Sequence, residues 1–162
     1  MIPDKENLLK TSKRIHHLIH KTPVISSKSI NEMVGAELFF KCENFQKMGA
    51  FKMRGAANAI LKLSETEKNK GVTTHSSGNF AQAVALSSRM SNINATIVMP
   101  NNAPSVKKNA VIGYGATVVD CQPTLEAREK TAQEIVNKTG ATFLHPYNCY
   151  NVISGNATAT ME

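Results

Sequence analysis

The sequence lacks both a disulfide framework and a membrane segment. Its three cysteines, Cys42, Cys121 and Cys149, are odd in number and form no C-x-x-C pair, which favours reduced thiols in a reducing compartment. No apolar run approaches the ~20 residues of a membrane-spanning helix. Residues 1–6 contain no apolar signal region, so we expect a cytoplasmic protein with no membrane partner.

The sequence also lacks the pattern of a nucleic-acid-binding protein, although its net charge is +7. The basic residues are spread through every segment and are adjacent only at Lys13-Arg14 and Lys107-Lys108. They are not interleaved with the aromatic side chains on which single-stranded bases stack. A basic balance suits a phosphorylated cofactor equally well. We therefore expect no nucleic-acid partner.

Motifs for metal binding and for hydrolysis are missing too. His16 and His20 have the i, i+4 spacing of a zinc-binding pair, but no carboxylate or cysteine lies near them in sequence, so a solvated helix face is favoured. Neither a G-x-S-x-G elbow nor a Walker-type loop occurs. We predict no metal site.

What the sequence does contain is a regular alternation of strand-like and helix-like segments. A length of 162 residues with 41% hydrophobic composition indicates about one domain with its own core. Strands about twenty residues apart with helices between them are typical of βαβ units, so we predict an α/β fold with a three-layer parallel sheet. The predicted strands are 38–42, 72–75, 95–99, 116–120 and 142–145, and the predicted helices are 4–20, 27–34, 56–63, 79–90, 104–113 and 123–138.

One candidate for chemistry is Lys52, in a strand–turn–helix junction at residues 41–56. The helix is expected to start at or just after Phe51. Lys52 adjoins this apolar residue and is close in sequence to the cation Arg54, and either influence lowers the pKa of an amine and makes it a nucleophile toward a carbonyl. The alternative is a solvated lysine in the first turn of a helix, which these residues alone leave open.

A second candidate is the turn formed by Ser76, Ser77, Gly78 and Asn79, which follows a predicted strand and opens an apolar helix. A glycine between small polar residues lets backbone N–H groups and the helix N-terminus face an anion. The alternative is that the polar side chains cap the helix, for which they are favoured residue types. Both interpretations can hold together.

Taken together, the two stretches resemble motifs of the pyridoxal 5'-phosphate (PLP) enzymes with the tryptophan synthase β fold, most closely the serine racemase and serine/threonine dehydratase family. Residues 43–56 match the pattern E-x-F-Q-x-x-[SG]-[SA]-F-K-x-R-G-A, and residues 76–83 match S-S-G-N-H-x-Q-A except at Phe80. Residues 145–148 resemble the family's H-P-[YF]-[DN], and residues 152–158 resemble its V-I-A-G-Q-G-T.

The resemblance implies roles for individual residues. Lys52 corresponds to the lysine that binds PLP covalently and later moves the Cα proton, and Phe51 lies beside it in the cofactor site. Asn79 corresponds to the asparagine that binds the cofactor's phenolic oxygen. Ser77 corresponds to the second acid/base of racemising members. The substrate carboxylate is bound by the turn Ser76, Ser77, Gly78 and Asn79.

The resemblance also implies that the family's chain is about twice as long as this one. Residues 1–45 then belong to a large domain, 46–150 form a small α/β domain, and 151–162 begin the return to the large domain. The family's glycine-rich phosphate loop and, in many members, the acidic ligands of a divalent cation lie in the other half. We therefore expect this half-length, truncated chain to bind PLP weakly and to be inactive alone.

The implied function is PLP-dependent elimination of water from L-serine or L-threonine, or racemisation of serine, with a small amino acid as the substrate. A homo-oligomer is compatible with the family's dimer. Phe80, where the family usually has histidine, and Ala157, where it has glycine, depart from the pattern. The alternative is a non-catalytic paralogue that folds and binds a partner such as a homologous subunit, in which case an exposed apolar surface is expected.

Overall fold

A computed structural model describes residues 2–162 of the chain. The strands are β1 Val24–Ile25, β2 Phe40–Lys41, β3 Val72–His75, β4 Ala95–Pro100, β5 Thr117–Cys121 and β6 Thr142–Phe143. The helices are α1 Lys5–Ile15, α2 Lys28–Val34, α3 Lys52–Leu61, α4 Glu65–Lys70, α5 Asn79–Met90, α6 Ser105–Gly113, α7 Leu125–Thr139 and α8 Tyr150–Ala157. Short 3-10 turns cover Glu43–Phe45, Lys47–Gly49 and Thr158–Met161.

Four strands form a parallel sheet in the order β5-β4-β3-β6. The chain moves outward from β3 through β4 to β5 and then returns across the sheet to β6. Because parallel crossovers are right-handed, α5 and α6 cover one face and α7 covers the other. The packing agrees, since α5 contacts α6 while α7 contacts β3, β4 and β6. The predicted α/β fold with a three-layer parallel sheet is confirmed.

Helix α3 packs over α5 and α8, and glycines set how closely α3 and α8 approach. A Cβ atom on Gly55 would come within 2.7 Å of the Val152 carbonyl oxygen. A Cβ atom on Gly155 would overlap the Arg54 carbonyl oxygen. Both positions therefore need glycine, because a larger residue would push the two helices apart and move the first turn of α3.

The N-terminal segment is less well packed than the four-stranded sheet and its helices. Helix α1 packs Ile15 against Ala57 of α3, but β1 and β2 form a separate antiparallel pair with Val24 opposite Lys41, and α2 buries no residue. Large apolar side chains are exposed along this segment, and we call them the apolar N-terminal face: Val24, Ile25, Ile30, Met33, Val34, Phe39, Phe40 and Phe45.

Some predicted boundaries are wrong. The first helix ends at Ile15 rather than at residue 20, and the strand predicted at 38–42 is reduced to Phe40–Lys41 because Cys42 leads into a 3-10 turn. The strand predicted at 142–145 ends at Phe143, since His145 Nδ1 accepts the backbone N–H of Asn148 at 2.9 Å and turns the chain. Of the helices within residues 2–162, none has both the length and the apolar character needed to cross a membrane.

Candidate active site

The strand order places a crevice between β3 and β6, where the direction of the winding reverses. In parallel α/β sheets, ligands bind at such a point, outside the carboxyl ends of the strands. Here the turn after β3 is residues 76–78, and the loop after β6 contains Pro146 and Tyr147. Both line one open cavity of about 630 Å³, a volume within the usual range of small-molecule sites.

The cavity brings together residues from distant parts of the chain. All the predicted site residues line it, although nearly thirty positions separate Phe51 from Asn79. The full lining is Phe51, Lys52, His75, Ser76, Ser77, Gly78, Asn79, Phe80, Lys107, Leu125, Arg128, Pro146 and Tyr147. None of these residues carries a carboxylate, so the wall formed by the described part of the chain is cationic.

Lys52 is the first residue of α3 and is half-buried. Its Nζ donates to the Pro146 carbonyl oxygen at 3.2 Å and lies 5.0 Å from the centre of the Phe51 ring. Burial lowers the pKa of this amine, because removing it from water disfavours the charged form. The expected influence of the Arg54 charge on this pKa is wrong, since that guanidinium is paired with carboxylates elsewhere.

The turn at residues 76–78 is built as an open cradle. Ser76 N–H donates to the Val98 carbonyl oxygen in β4 at 3.1 Å, and Ser76 Oγ accepts the Gly78 N–H at 3.2 Å. Gly78 is the N-cap of α5, and no side chain caps that helix. The interpretation that Ser76, Ser77 or Asn79 serves as a helix cap is therefore wrong. The N–H groups of the first turn of α5 remain available for an anion.

Phe80 has a packing role. Its side chain is only 3% exposed and belongs to the core cluster, and Phe80 also lines the cavity. It contributes an apolar wall at the position where the family motif has a histidine. The site thus has one polar group fewer at this point, and its polar contacts are concentrated in the turn before α5.

The loop after β6 is shaped by His145. Its Nδ1 accepts the backbone N–H groups of Tyr147 and Asn148 at 3.3 and 2.9 Å, and its ring lies nearly perpendicular to that of Tyr147, 4.4 Å away. Beneath this loop His75 is buried, and burial lowers the pKa of its imidazole. The His145 acceptor therefore shapes the loop, which presents the Pro146 carbonyl to Lys52.

Lys107 and Arg128 are site residues that sequence reasoning missed. Both are half-buried, and neither forms an ion pair with any residue in the described range 2–162. Each lies in the first turns of a helix that follows a sheet strand, on α6 and α7 respectively. That position at the carboxyl edge of the sheet is the signal that could have found them.

The residues that line this cavity fit the aldehyde and the ring of PLP. The Lys52 amine, whose pKa is lowered, can react with the aldehyde of PLP. The aromatic and apolar walls of the cavity suit the PLP ring, and the uncapped start of α5 suits an anion. The phosphate is less well provided for, because the sequence contains no glycine-rich run. Within residues 2–162 no group of three His, Cys, Asp or Glu side chains is arranged for a metal ion.

Comparison with known proteins agrees with this geometry. The family model described as "Pyridoxal-phosphate dependent enzyme" matches residues 15–162. Serine racemase of Dictyostelium discoideum is 49% identical over 157 residues, covering 97% of this chain and 48% of that protein. The beta-hydroxyaspartate dehydratase of Paracoccus denitrificans is 44% identical over 161 residues, and the match covers 99% of this chain and 51% of that protein.

Among solved structures, maize serine racemase superimposes with a TM-score of 0.97 at 45% identity, and the match covers 99% of this chain and 49% of that one. The chain therefore spans about half the length of the curated relatives it matches.

Proposed function

This chain belongs to the family of pyridoxal-phosphate dependent enzymes, and we propose that it forms half of a dehydratase or racemase site acting on L-serine or L-threonine. The observation that carries the proposal is that Lys52, an amine of lowered pKa, shares one cavity with the uncapped start of α5. An amine for a carbonyl and a cradle for a carboxylate are the two features that an amino-acid-converting PLP site needs.

PLP would be held by Lys52 through its aldehyde carbon, by Phe51 beside its ring and by Asn79 at its phenolic oxygen. When bound, PLP supplies an electron sink for the negative charge that remains on Cα after a proton leaves. The turn at residues 76–79 holds the substrate carboxylate with its N–H groups other than those of Ser76 and Gly78, which already donate to Val98 and Ser76. This fixes the amino acid so that its Cα–H bond faces the Lys52 amine.

When its amine is not bound to the cofactor, Lys52 in its neutral form would accept the Cα proton, and the lowered pKa that burial provides favours this neutral form. In elimination, the β-hydroxyl would leave as water with the proton that Lys52 took from Cα, and hydrolysis by a water molecule then gives a 2-oxo acid and ammonia. In racemisation, the Ser77 hydroxyl delivers a proton to the opposite face of Cα. The two outcomes share every residue except the acid on that opposite face.

These 162 residues alone are proposed to be catalytically inactive. The sequence offers no glycine-rich phosphate cradle, and charge-assisted phosphate contacts contribute strongly to affinity. A divalent cation of the full-length family would need ligands from outside this chain.

The division into parts 1–45, 46–150 and 151–162 also stays a prediction, and limited proteolysis would test it. The three free thiols support a cytoplasmic location.

A titration with PLP tests the proposed site. The visible absorbance that follows covalent binding to an amine should rise in the unsubstituted chain and in Lys62→Ala, a control at the other end of α3, but not in Lys52→Ala. Added L-serine should give no 2-oxo acid with the chain alone. Equal absorbance in Lys52→Ala would refute the assignment of the lysine, and robust turnover would refute the proposed inactivity.

The unpaired cations favour a second substrate class, the 3-hydroxy dicarboxylic amino acids. Lys107 and Arg128 line the cavity and form no ion pair with a carboxylate of residues 2–162. A bidentate guanidinium suits a second carboxylate. The relative from Paracoccus denitrificans bears the name of such an activity. 3-Hydroxyaspartate should protect Lys52 from PLP better than L-serine, and Arg128→Met should remove that advantage. Equal protection by both would exclude this class.

The apolar N-terminal face favours one alternative function, a non-catalytic module that binds a homologous subunit. Several large apolar side chains are unpartnered there, and exposed patches of this kind mark interaction sites. Analytical ultracentrifugation distinguishes self-association from a monomer. Phe39 belongs to this face and is 70% exposed. A Phe39→Lys variant should therefore abolish any association. A monomer at all concentrations would remove the support for self-association.

A further inference from the structure

Arg54 lies on the side of α3 opposite the cavity. It is 0% exposed and is among the largest fully buried side chains. Since residues two apart on a helix point in opposite directions, Arg54 faces away from the side that carries Lys52. Its Nε and one terminal nitrogen donate to both Glu43 carboxylate oxygens at 2.8 and 2.7 Å. Its two terminal nitrogens donate to the Glu162 carboxylate at 2.8 and 2.9 Å.

Two further residues complete a neutral cluster around this guanidinium. Lys41 Nζ donates to Glu162 and to the Thr22 carbonyl oxygen, each at 2.6 Å. The Thr22 hydroxyl donates to Glu43 at 2.6 Å. Two cations and two carboxylates therefore compensate each other in a largely buried site. We call Thr22, Lys41, Glu43, Arg54 and Glu162 the Arg54 cluster.

The first turn of α3 has few other anchors. No side chain caps its N-terminus. The preceding residues Met48 and Gly49 have left-handed backbone angles, φ 56° and 78°, so the short 3-10 turn at Lys47–Gly49 does not continue into the helix. Apart from its own backbone bonds and the contact of Lys52 with Pro146, the turn is held by three anchors. The Gly55 N–H donates to Asn156 Oδ1 at 3.1 Å, the Ser87 hydroxyl donates to Met53 Sδ at 3.4 Å, and Arg54 binds the cluster. The cluster joins α3 to segments before β1, after β2 and after α8.

We propose that Arg54 is a positioning residue that fixes the first turn of α3, through the cluster, so that the Lys52 amine stays at the cavity wall beside the Pro146 carbonyl. This inference rests on the proposed function, because it concerns the reactive amine. A guanidinium that binds two carboxylates at once resists both rotation and translation of the turn. Loosening it exposes the amine to water, and an amine in water returns toward the ordinary lysine pKa.

The test follows the reaction of Lys52 with PLP as a function of pH, trapping the product with borohydride and measuring it by peptide mapping. Glu162→Gln keeps a hydrogen-bonding amide but removes one carboxylate, and Arg54→Lys replaces the two-sided fork with a point charge. The pH midpoint of Lys52 labelling should rise toward that of an ordinary lysine in Glu162→Gln, and labelling at pH 7 should fall. Arg54→Lys should shift the midpoint at least as far.

Glu65→Gln is the matched control, since it breaks the surface pair with Lys68 and should leave the midpoint unchanged. A role confined to stability would lower the melting temperature of the cluster variants without moving the midpoint. An unchanged midpoint in Glu162→Gln with a native circular dichroism spectrum therefore overturns this inference alone. Failure of the unsubstituted chain to react at Lys52 overturns the proposed function together with it.

Discussion

Lys52 and Arg54 are two cations on one turn of α3 that the fold treats in opposite ways. Lys52 faces a cavity to which the described residues 2–162 contribute no carboxylate, and burial lowers the pKa of its amine. Arg54 is more deeply buried, yet Glu43 and Glu162 raise the pKa of its guanidinium further above its ordinary value. The difference shows that burial alone does not decide the direction in which the pKa of a cation shifts. Partner carboxylates reverse that direction, and the position proposed to be reactive is the one for which no such partner occurs among residues 2–162.

The largest effect is expected from removing the paired cation. Arg54→Met leaves two carboxylates facing each other in a buried site, which should reduce the free energy of unfolding by about 3–5 kcal/mol. Urea denaturation measures this loss in the free energy of unfolding. Lys108→Met removes a cation paired with the exposed carboxylate of Asp120 and should cost less than about 1 kcal/mol. Similar losses in the two variants would contradict the importance given to the Arg54 pairing.

A smaller effect is expected from acid. The Arg54 guanidinium and the Lys41 ammonium lower the pKa of Glu162 to about 2. A carboxyl with a folded pKa below its unfolded value stabilises the fold above the unfolded value, and this contribution is lost as the pH falls from about 4.5 toward 2. Glu162→Gln should flatten the dependence of stability on pH in that window by about 2 kcal/mol. The same slope in both proteins would exclude this pairing.

The smallest effect is expected from giving the cavity a carboxylate of its own. Leu125 lines the cavity and is 49% exposed, so Leu125→Glu should fold normally. Its charge favours the protonated amine and should raise the pKa of Lys52 by about one unit or less. Leu125→Gln is the uncharged control. The pH profile of borohydride trapping measures the shift, and identical profiles would show that the cavity wall does not control the amine.

Sequence reasoning found the unpaired cation because its surroundings are local. Lys52 follows Phe51 directly, and the turn at residues 76–79 is recognisable as a glycine between small polar residues before a helix. The alternation of strands and helices likewise gave the parallel sheet, because β-branched runs and glycine stops are local signals.

The paired cation was misread for the opposite reason. Arg54 lies two residues from Lys52 in sequence, but a helix turns these two side chains in opposite directions. Its partners Glu43 and Glu162 come from segments 11 and 108 residues away. No local pattern indicates such pairs. Lys107 and Arg128 were missed similarly, since only the assembled sheet brings the starts of α6 and α7 to the cavity.

Labelling by PLP shows whether Lys52 is more reactive than the other lysines of the chain. The purified chain is treated with a limiting amount of PLP at neutral pH, reduced with borohydride and digested, and each lysine is assayed for label. We expect the label to be concentrated on Lys52 and to be lost in Lys52→Ala without appearing on another lysine. Label distributed over the surface lysines, or an unchanged total in Lys52→Ala, would contradict it.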